Sequence, residues 1–257
     1  MYKLVAIDLD GTLLNSEKKI SQGNISAIQR AMEKDVKVVI CSGRIFNGAR
    51  IYARQIFSQD PVVACNGAII KDLRTDEFWY NNSLNLDDCF KIIDICHKEN
   101  LYFHAYSGNT MYSEYLEGGA AFYSKLNKEL PPEDRIDVRV VDDVSAALKD
   151  SSIAAAKIVV ISQEPELLMK ARKQVAELGS VEVVSSFYDN FEVVNSGVSK
   201  GNAIKFLSDK LNIRREEIIA IGDNENDFSM IQFAGLGVAM GNAEIPVKEL
   251  ADYITLN

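Results

Sequence analysis

The sequence lacks any apolar run approaching the roughly 18 residues of a membrane-spanning helix, so no integral membrane protein is expected. Cysteine is sparse, and the four present form no CxxC pair, which disfavours a thiolate metal or redox site (Cys41, Cys65, Cys89 and Cys96). Neither repeats nor low-complexity segments are evident. With 47% hydrophobic residues among 257, the chain can bury a substantial core.

Basic residues are fewer than acidic ones. Lys and Arg number 28 against 37 Asp and Glu, and the resulting net charge of −9 disfavours nucleic acid or an anionic membrane as a partner. Lys3, Asp8 and Asp10 interrupt any signal-peptide core, and free cysteines fit a reducing compartment, so a cytoplasmic location is expected. A small anionic ligand then has to be held by local cations such as Arg44 and Lys200.

Two carboxylates stand directly after the first predicted strand. The apolar run Leu4-Val5-Ala6-Ile7 suits the interior of a parallel sheet, and Asp8-Leu9-Asp10-Gly11-Thr12 follows it. Open α/β sheets bind ligands outside the carboxyl ends of their strands, so this segment is a candidate site. Taken alone it has a second interpretation, because an Asp or Thr after a strand commonly caps the next helix.

Three further apolar runs are followed, like the first strand, by polar residues and glycines. The runs cover residues 36–41, 61–65 and 218–222, and they are followed by Ser42-Gly43-Arg44, Asn66-Gly67 and Asp223. Lys200 opens a helical pattern of apolar residues, and Asp227 closes a short acidic segment that begins at Asp223. At one edge of a parallel sheet, these carboxylates, this hydroxyl and this lysine would be suited to phosphoryl transfer.

This set, in this order, resembles the four motifs of the haloacid dehalogenase (HAD) superfamily of phosphohydrolases. Those motifs are DxDGT, a strand-terminal Ser or Thr, a lysine and an acidic GDxxxD-type loop, and each has a match here. Residues 64–68 and 197–201, with the long segment between Ser42 and Lys200, resemble the Cof-type branch with its type IIB cap. The resemblance implies an α/β fold, with a doubly wound parallel-sheet (Rossmann-like) core and an inserted α+β cap domain.

The resemblance also implies a role for each site residue. Asp8 is expected to be the nucleophile that forms an aspartyl-phosphate, Asp10 the general acid and base, and Lys200 the positive charge beside them. The expected Mg²⁺ ligands are the Asp8 and Asp223 side chains and the Asp10 backbone carbonyl, with Asp227 supporting the acidic loop. The expected phosphate-binding groups are the Leu9 and Gly43 backbone, Ser42, Arg44 and Asn226.

The hydrophobic pattern changes in the middle of the chain. Two sets of helices and strands are predicted there. The first covers 86–99, 101–106 and 110–113 and is followed by a further helix, and the second covers 157–161, 165–178 and 181–186. Strands joined by a short turn are antiparallel, unlike those of the flanking parallel core. We therefore expect a separate α+β cap at residues 82–187 and one core formed by residues 1–81 and 188–257.

One cap strand alternates two kinds of side chain. Its apolar face is expected to pack on the cap helices (Leu101, Phe103 and Ala105). Its other face is aromatic and hydrogen-bonding (Tyr102, His104 and Tyr106). This second face has two interpretations, since it either roofs the active site and contacts the leaving group or is an ordinary solvated sheet face.

Three functions fit the motif set. A phosphatase of small phosphorylated metabolites, such as sugar phosphates, is favoured. A phosphomutase would use the same Asp8 and Asp10 but return the phosphoryl group to its substrate, and a non-catalytic metabolite sensor would need neither residue for chemistry. The expected partner is a small phosphate ester, and the expected state is a monomer or small homo-oligomer.

Overall fold

A computed structural model describes residues 1–151 and 153–256. The chain divides into two compact units. We call Met1–Tyr80 with Ser199–Asn257 the core unit and Asn81–Val198 the cap unit. In the described part of the chain, no helix combines the length and the apolar character needed to cross a bilayer.

The chain begins in the core unit. This part contains strands β1 (Leu4–Ile7), β2 (Lys37–Ile40), β3 (Val62–Ala64), β4 (Ile69–Lys71) and β5 (Phe78–Asn81), and helices α1 (Gln22–Met32) and α2 (Phe46–Gln55). Helix α1 begins after Ser21 because the Ser21 hydroxyl accepts a hydrogen bond from the Asn24 backbone N–H at 3.1 Å. The predicted strands that precede the polar motifs are confirmed, with β2 and β3 slightly shorter than expected.

The cap unit follows with alternating helices and strands. They are α3 (Leu86–Lys98), β6 (Tyr102–Ser107), β7 (Thr110–Ser113), α4 (Gly118–Leu126), β8 (Asp137–Val140), α5 (Val144–Ser151), β9 (Lys157–Ile161), α6 (Pro165–Ala176), β10 (Val181–Val184) and β11 (Asn190–Asn195). Helix α3 begins after Asn85, whose side-chain oxygen accepts a hydrogen bond from the Asp88 backbone N–H at 2.7 Å. The two predicted sets are confirmed, whereas β8, α5 and β11 are not predicted by the sequence pattern.

The last part of the chain returns to the core unit. It contains α7 (Lys200–Leu211), β12 (Ile218–Gly222), α8 (Phe228–Phe233), β13 (Leu236–Ala239), α9 (Ile245–Leu250) and β14 (Tyr253–Ile254). Helix α7 packs on the sheet, because Ile204 and Leu207 share a buried apolar cluster with Leu4, Ala6 and Ile218. Each such aliphatic side chain contributes about 1.5–3 kcal/mol on burial, which holds α7 and its first residue against the sheet.

The core sheet is parallel and reverses its strand order at one point. Within residues 1–151 and 153–256, its five strands follow the order β14-β13-β12-β1-β2, and each neighbouring pair is parallel. A parallel bridge between Cys41 and Val63 places β3 beyond β2. The chain therefore moves outward from β1 in one direction and from β12 in the other. The crevice at the carboxyl ends of β1 and β12 is where such a sheet binds its ligand.

The cap sheet is largely antiparallel. Among the described residues, its six strands follow the order β10-β11-β9-β6-β7-β8, and only β7 and β8 run parallel. One face packs on α3, α5 and α6, where Phe103 and Ala105 share an apolar core with Ile92, Leu148 and Leu168. The expectation that this face of β6 packs on the cap helices is confirmed.

The opposite face of β6 is not an open, solvated surface. His104 is 3% exposed and Tyr106 is 5% exposed, so that interpretation is wrong for both residues. Helix α4 packs here, with the Tyr106 and Tyr123 ring centroids 6.5 Å apart. The same face carries a buried ion pair between Lys157 Nζ and a Glu192 carboxylate oxygen at 2.8 Å.

The second unit boundary lies later than the sequence suggests. Strand β11 pairs antiparallel with both β9 and β10, so Asn190–Asn195 belongs to the cap sheet. The sequence-based division assigned residues 188–257 to the core, whereas the compact cap unit extends to Val198. Position along the chain is a poor guide here, because β11 is a buried strand that ends shortly before helix α7 and could on that ground belong to either unit.

Candidate active site

Asp8 and Lys200 are brought together by the sheet and helix α7. Asp8 follows β1, and its backbone N–H bonds to the Ile221 carbonyl of β12 at 3.0 Å. Lys200 is the first residue of α7, which is capped by the Ser199 hydroxyl. The buried Lys200 Nζ donates to Asp8 Oδ1 and to Asp227 Oδ1, each at 2.6 Å. Tertiary packing thus creates an ion pair between residues 192 positions apart in the sequence.

Asp227 shapes the acidic loop that follows β12. Its Oδ2 accepts hydrogen bonds from the backbone N–H groups of Asp223 at 2.9 Å and Asn224 at 3.2 Å. The Asp223 carboxylate accepts a further hydrogen bond from the Thr12 hydroxyl at 2.7 Å. Gly11 has a φ of +86°, and a Cβ at this position would collide with the Asp223 carboxylate. Glycine at residue 11 therefore allows the first motif to approach the acidic loop.

Three buried carboxylates form an acidic cluster with an excess of negative charge. Asp8, Asp223 and Asp227 each place an oxygen within 4.8 Å of the others. Burial raises the pKa of Asp8 well above its ordinary value, Lys200 opposes this rise, and the two neighbouring carboxylates add to it. Burial also raises the pKa of Asp223 to about 6. When all three carboxyls are ionised, Lys200 contributes one positive charge against them, which leaves two negative charges to be balanced.

This acidic cluster fits a divalent cation. Its donors are all oxygens, as Mg²⁺ prefers, and the uncompensated charge equals that of one such ion. Burial disfavours the charged form of Lys200, but the Asp227 and Asp8 carboxylates outweigh burial and raise the pKa of this side chain. Lys200 therefore remains a cation at the edge of the cluster.

Asp10 belongs to a second ion-pair group. Its carboxylate accepts hydrogen bonds from Arg44 Nε at 2.7 Å, from Arg44 Nη2 at 2.8 Å and from Lys18 Nζ at 2.7 Å. Burial alone would raise the pKa of Asp10, but hydrogen bonds and charge from Arg44, and then from Lys18, hold this pKa well below its ordinary value. Asp10 is therefore ionised in this conformation, and Arg44 is engaged with it.

The remaining expected phosphate-binding residues lie on neighbouring strand ends. Ser42 follows β2, and its hydroxyl accepts a hydrogen bond from the Arg44 backbone N–H at 3.2 Å. Because Ile7 pairs with Ile40 in the parallel register, Leu9 and Gly43 also follow the same edge of the sheet. Asn226 is buried in the acidic loop, and its Nδ2 donates to Asn66 Oδ1 at 3.2 Å.

Three contacts at this edge were not expected from the sequence. Lys18 binds Asp10, Asn66 binds Asn226, and Asn242 Nδ2 donates to the Gly11 carbonyl at 2.9 Å. No sequence pattern indicates Lys18 or Asn242, which lie in loops. Asn66 has a signal, because an Asn-Gly pair is typical of turns with positive φ, and such a turn ends β3 here.

Comparison with known proteins identifies the family. Residues 5–257 match the family described as haloacid dehalogenase-like hydrolase. The 5-amino-6-(5-phospho-D-ribitylamino)uracil phosphatase YcsE of Bacillus subtilis is 33% identical over 98% of this chain and 89% of its own length. The chain belongs to the haloacid dehalogenase-like hydrolases. It is a phosphoric monoester hydrolase of this family, as the sequence motifs predict.

Solved structures agree with the assignment of this chain to the haloacid dehalogenase-like hydrolases. A haloacid dehalogenase-like hydrolase from B. subtilis superimposes with a TM-score of 0.87 at 30% identity, covering 98% of this chain and 94% of that one. The subclass IIB sugar phosphatase BT4131 superimposes with a TM-score of 0.78, covering 98% and 93% of the two chains, and at 21% identity this likeness concerns the fold. The predicted α/β core with an inserted α+β cap is confirmed.

Proposed function

We propose that this hydrolase is a Mg²⁺-dependent phosphatase of small phosphorylated metabolites, with sugar phosphates as the leading class, and that it acts through an aspartyl-phosphate on Asp8. One observation carries the proposal. Lys200 Nζ lies 2.6 Å from both Asp8 Oδ1 and Asp227 Oδ1, at the point where the strand order of the sheet reverses. The YcsE relative, whose name gives a phosphorylated ribityl compound as its substrate, supports a small-molecule ester.

Asp8 is the nucleophile in this proposal. A carboxylate that attacks a phosphate monoester meets an anion, and at about 4 Å two like unit charges repel by about 4 kcal/mol at an effective dielectric of 20. Lys200 reduces this repulsion and remains beside the phosphoryl oxygens as their charge redistributes. The Asp8 oxygen bonds to phosphorus as the bond to the leaving-group oxygen breaks. Water then attacks the aspartyl-phosphate, which releases inorganic phosphate and restores Asp8.

Asp10 transfers the protons. It gives a proton to the leaving-group oxygen in the first step and takes one from the attacking water in the second. Arg44 and Lys18 occupy both of its carboxylate oxygens in the described conformation. To act as an acid, the Asp10 carboxyl has to exchange at least one of these contacts and acquire a proton. Ser42, Arg44, Asn226 and the backbone N–H groups of Leu9 and Gly43 bind the phosphate oxygens.

The acidic cluster would hold the Mg²⁺ ion. The proposed ligands are the Asp8 and Asp223 side chains and the Asp10 carbonyl, while Asp227 orients the loop through hydrogen bonds to its backbone. When bound, the ion supplies positive charge to the nucleophile and the phosphate oxygens. This assignment agrees with the two uncompensated negative charges of the cluster.

Asp8→Asn tests the nucleophile. The amide keeps the shape of the side chain but is a poor nucleophile, so steady-state release of inorganic phosphate from a panel of phosphate esters should fall at least a thousandfold, about 4 kcal/mol in activation free energy. The matched control is Asp209→Asn, on the exposed side of α7, which should retain full turnover. Near-normal turnover of a folded Asp8→Asn protein would contradict the assignment. If the wild-type protein instead converts a sugar phosphate into its isomer without releasing inorganic phosphate, it is a phosphomutase.

A further inference from the structure

The segment that follows β3 has an unusual backbone. Cys65, Asn66 and Gly67 have φ values of 51°, 58° and 100°, so three consecutive residues lie in the left-handed region. Non-glycine residues are uncommon there, although Asn is tolerated better than most. We call Cys65–Gly67 the β3 turn. Such a conformation persists when surrounding contacts hold it in place.

The β3 turn is hydrogen-bonded to the serine motif. The Cys65 backbone N–H donates to the Arg44 carbonyl at 2.9 Å, and the Asn66 backbone N–H donates to the Ser42 carbonyl at 3.1 Å. Ser42 is also bonded to β3, the strand that leads into the turn, since its N–H donates to the Val63 carbonyl at 2.9 Å. Backbone hydrogen bonds therefore tie the β3 turn to the Ser42–Arg44 segment.

The same turn lies against the start of helix α7. A Cβ at Gly67 would collide with the Ser199 carbonyl, which immediately precedes Lys200. Only glycine both adopts the observed φ and allows this approach. The β3 turn thus contacts a second element that carries a proposed catalytic group.

The Asn66 side chain reaches the acidic loop. Its Oδ1 accepts the hydrogen bond from Asn226 Nδ2 at 3.2 Å, and the two residues are 2% and 8% exposed. An amide nitrogen has two N–H groups, so a bond from one of them fixes the amide plane and the direction of the other. Asn66 is therefore placed to orient Asn226.

We propose that Asn66 is a positioning residue for phosphate binding, which aims the second N–H of Asn226 at the substrate phosphate. The inference rests on the proposed function, because it takes Asn226 as a phosphate ligand. Through its backbone, Asn66 also holds the Ser42 segment, so one residue sets the relative placement of two phosphate-binding elements. Asn66 itself acts through Asn226 and need not touch the phosphate.

Asn66→Gly removes the amide and keeps the left-handed backbone free of strain. Loss of one neutral hydrogen bond between buried groups should lower kcat/KM about tenfold and weaken the binding of inorganic phosphate, measured calorimetrically with Mg²⁺, by a similar factor. The matched control is Asn212→Gly, because Asn212 has a φ of 54° at the end of α7 and lies outside the site. This control should leave both quantities unchanged.

A double-mutant cycle with Asn226→Ala separates positioning from a general structural role. If Asn66 acts through Asn226, then Asn66→Gly should change phosphate affinity less than twofold in the Asn226→Ala background. Equal effects of Asn66→Gly in both backgrounds would overturn the proposal, and so would wild-type phosphate affinity in Asn66→Gly. All affinities are measured at a temperature at which each variant is folded by circular dichroism. Failure of the proposed function would appear separately, as turnover retained by Asp8→Asn.

Discussion

Among single residues, Asp223 couples the acidic cluster to pH. Burial raises its pKa to about 6, the Thr12 hydrogen bond opposes the rise, and the charge of Asp227 adds to it. In an unfolded chain the pKa returns to about 3.9. At a pH between these two pKa values, the Asp223 carboxyl is more protonated in the folded protein than in the unfolded chain. Stability that is fully present below about pH 4 is therefore lost as the pH rises towards 6.

We predict that Asp223→Asn removes this pH dependence. In metal-free wild type, the contribution of this carboxyl to the free energy of unfolding should fall by at most about 3 kcal/mol as the pH rises from about 4 to about 6. Urea unfolding in EDTA across that range measures the difference between wild type and variant. A difference that stays constant with pH would show that Asp223 has an ordinary pKa.

At the scale of elements, β6 places a neutral histidine inside the cap unit. Burial lowers the pKa of His104 to about 3, and the charge of Lys157 acts in the same direction. His104 Nε2 lies 3.3 Å from the Tyr106 hydroxyl, while its Nδ1 has no hydrogen-bond partner among the described residues. Protonating this ring would place a second positive charge beside a buried lysine, so the sheet and α4 together keep it neutral.

The chain contains two histidines, which allows a matched test of this element. In the unfolded chain His104 should titrate near pH 6.5, so stability is lost as the pH falls below that value towards 3. At pH 5 the loss should be about 2 kcal/mol relative to pH 7. His104→Phe should abolish this loss, whereas His97→Gln, at an exposed residue, should retain it. Thermal or urea unfolding at both pH values is the measurement, and an unchanged slope in His104→Phe would contradict the prediction.

At the scale of the whole molecule, Mg²⁺ should stabilise the core unit as well as support turnover. The acidic cluster is formed by tertiary packing, so the ion binds the folded protein in preference to the unfolded chain. At a concentration of about 100 times Kd, binding should add about 2.7 kcal/mol to the free energy of unfolding. Calorimetry with and without Mg²⁺ should show the shift in wild type and its loss in Asp223→Asn. Metal-free protein that unfolds at the same temperature and keeps its activity would refute the metal site.

The sequence by itself determined the fold class, the core strands that precede the polar motifs and the positions of the motif residues. Strands such as β1 and β12 are apolar on both faces because they lie inside a parallel sheet. The end of each strand can therefore be recognised in the sequence as the point where the apolar run stops. Asp8, Ser42 and Asp223 follow from these strand ends, Lys200 follows from the start of a helical pattern, and all four fit the family resemblance. The alternation along β6 also predicted its packed face, since side chains point to opposite faces with a period of two.

Tertiary structure decided which strands pair and which side chains come into contact. Strand β11 joins the cap because it pairs with β9 and β10, and such non-local pairing has no local sequence signal. The environment of Asp10 is likewise set by tertiary structure. The sequence motif predicts this residue, but it does not predict the contacts with Arg44 and Lys18 that keep its carboxylate ionised. His104 is buried because α4 packs over its face of β6. The alternation of residues along β6 does not say whether another element covers that face. Asn66 meets Asn226 across 160 positions of sequence. Charge, burial and hydrogen bonding at this site arise from distances in space, and only the folded chain sets those distances.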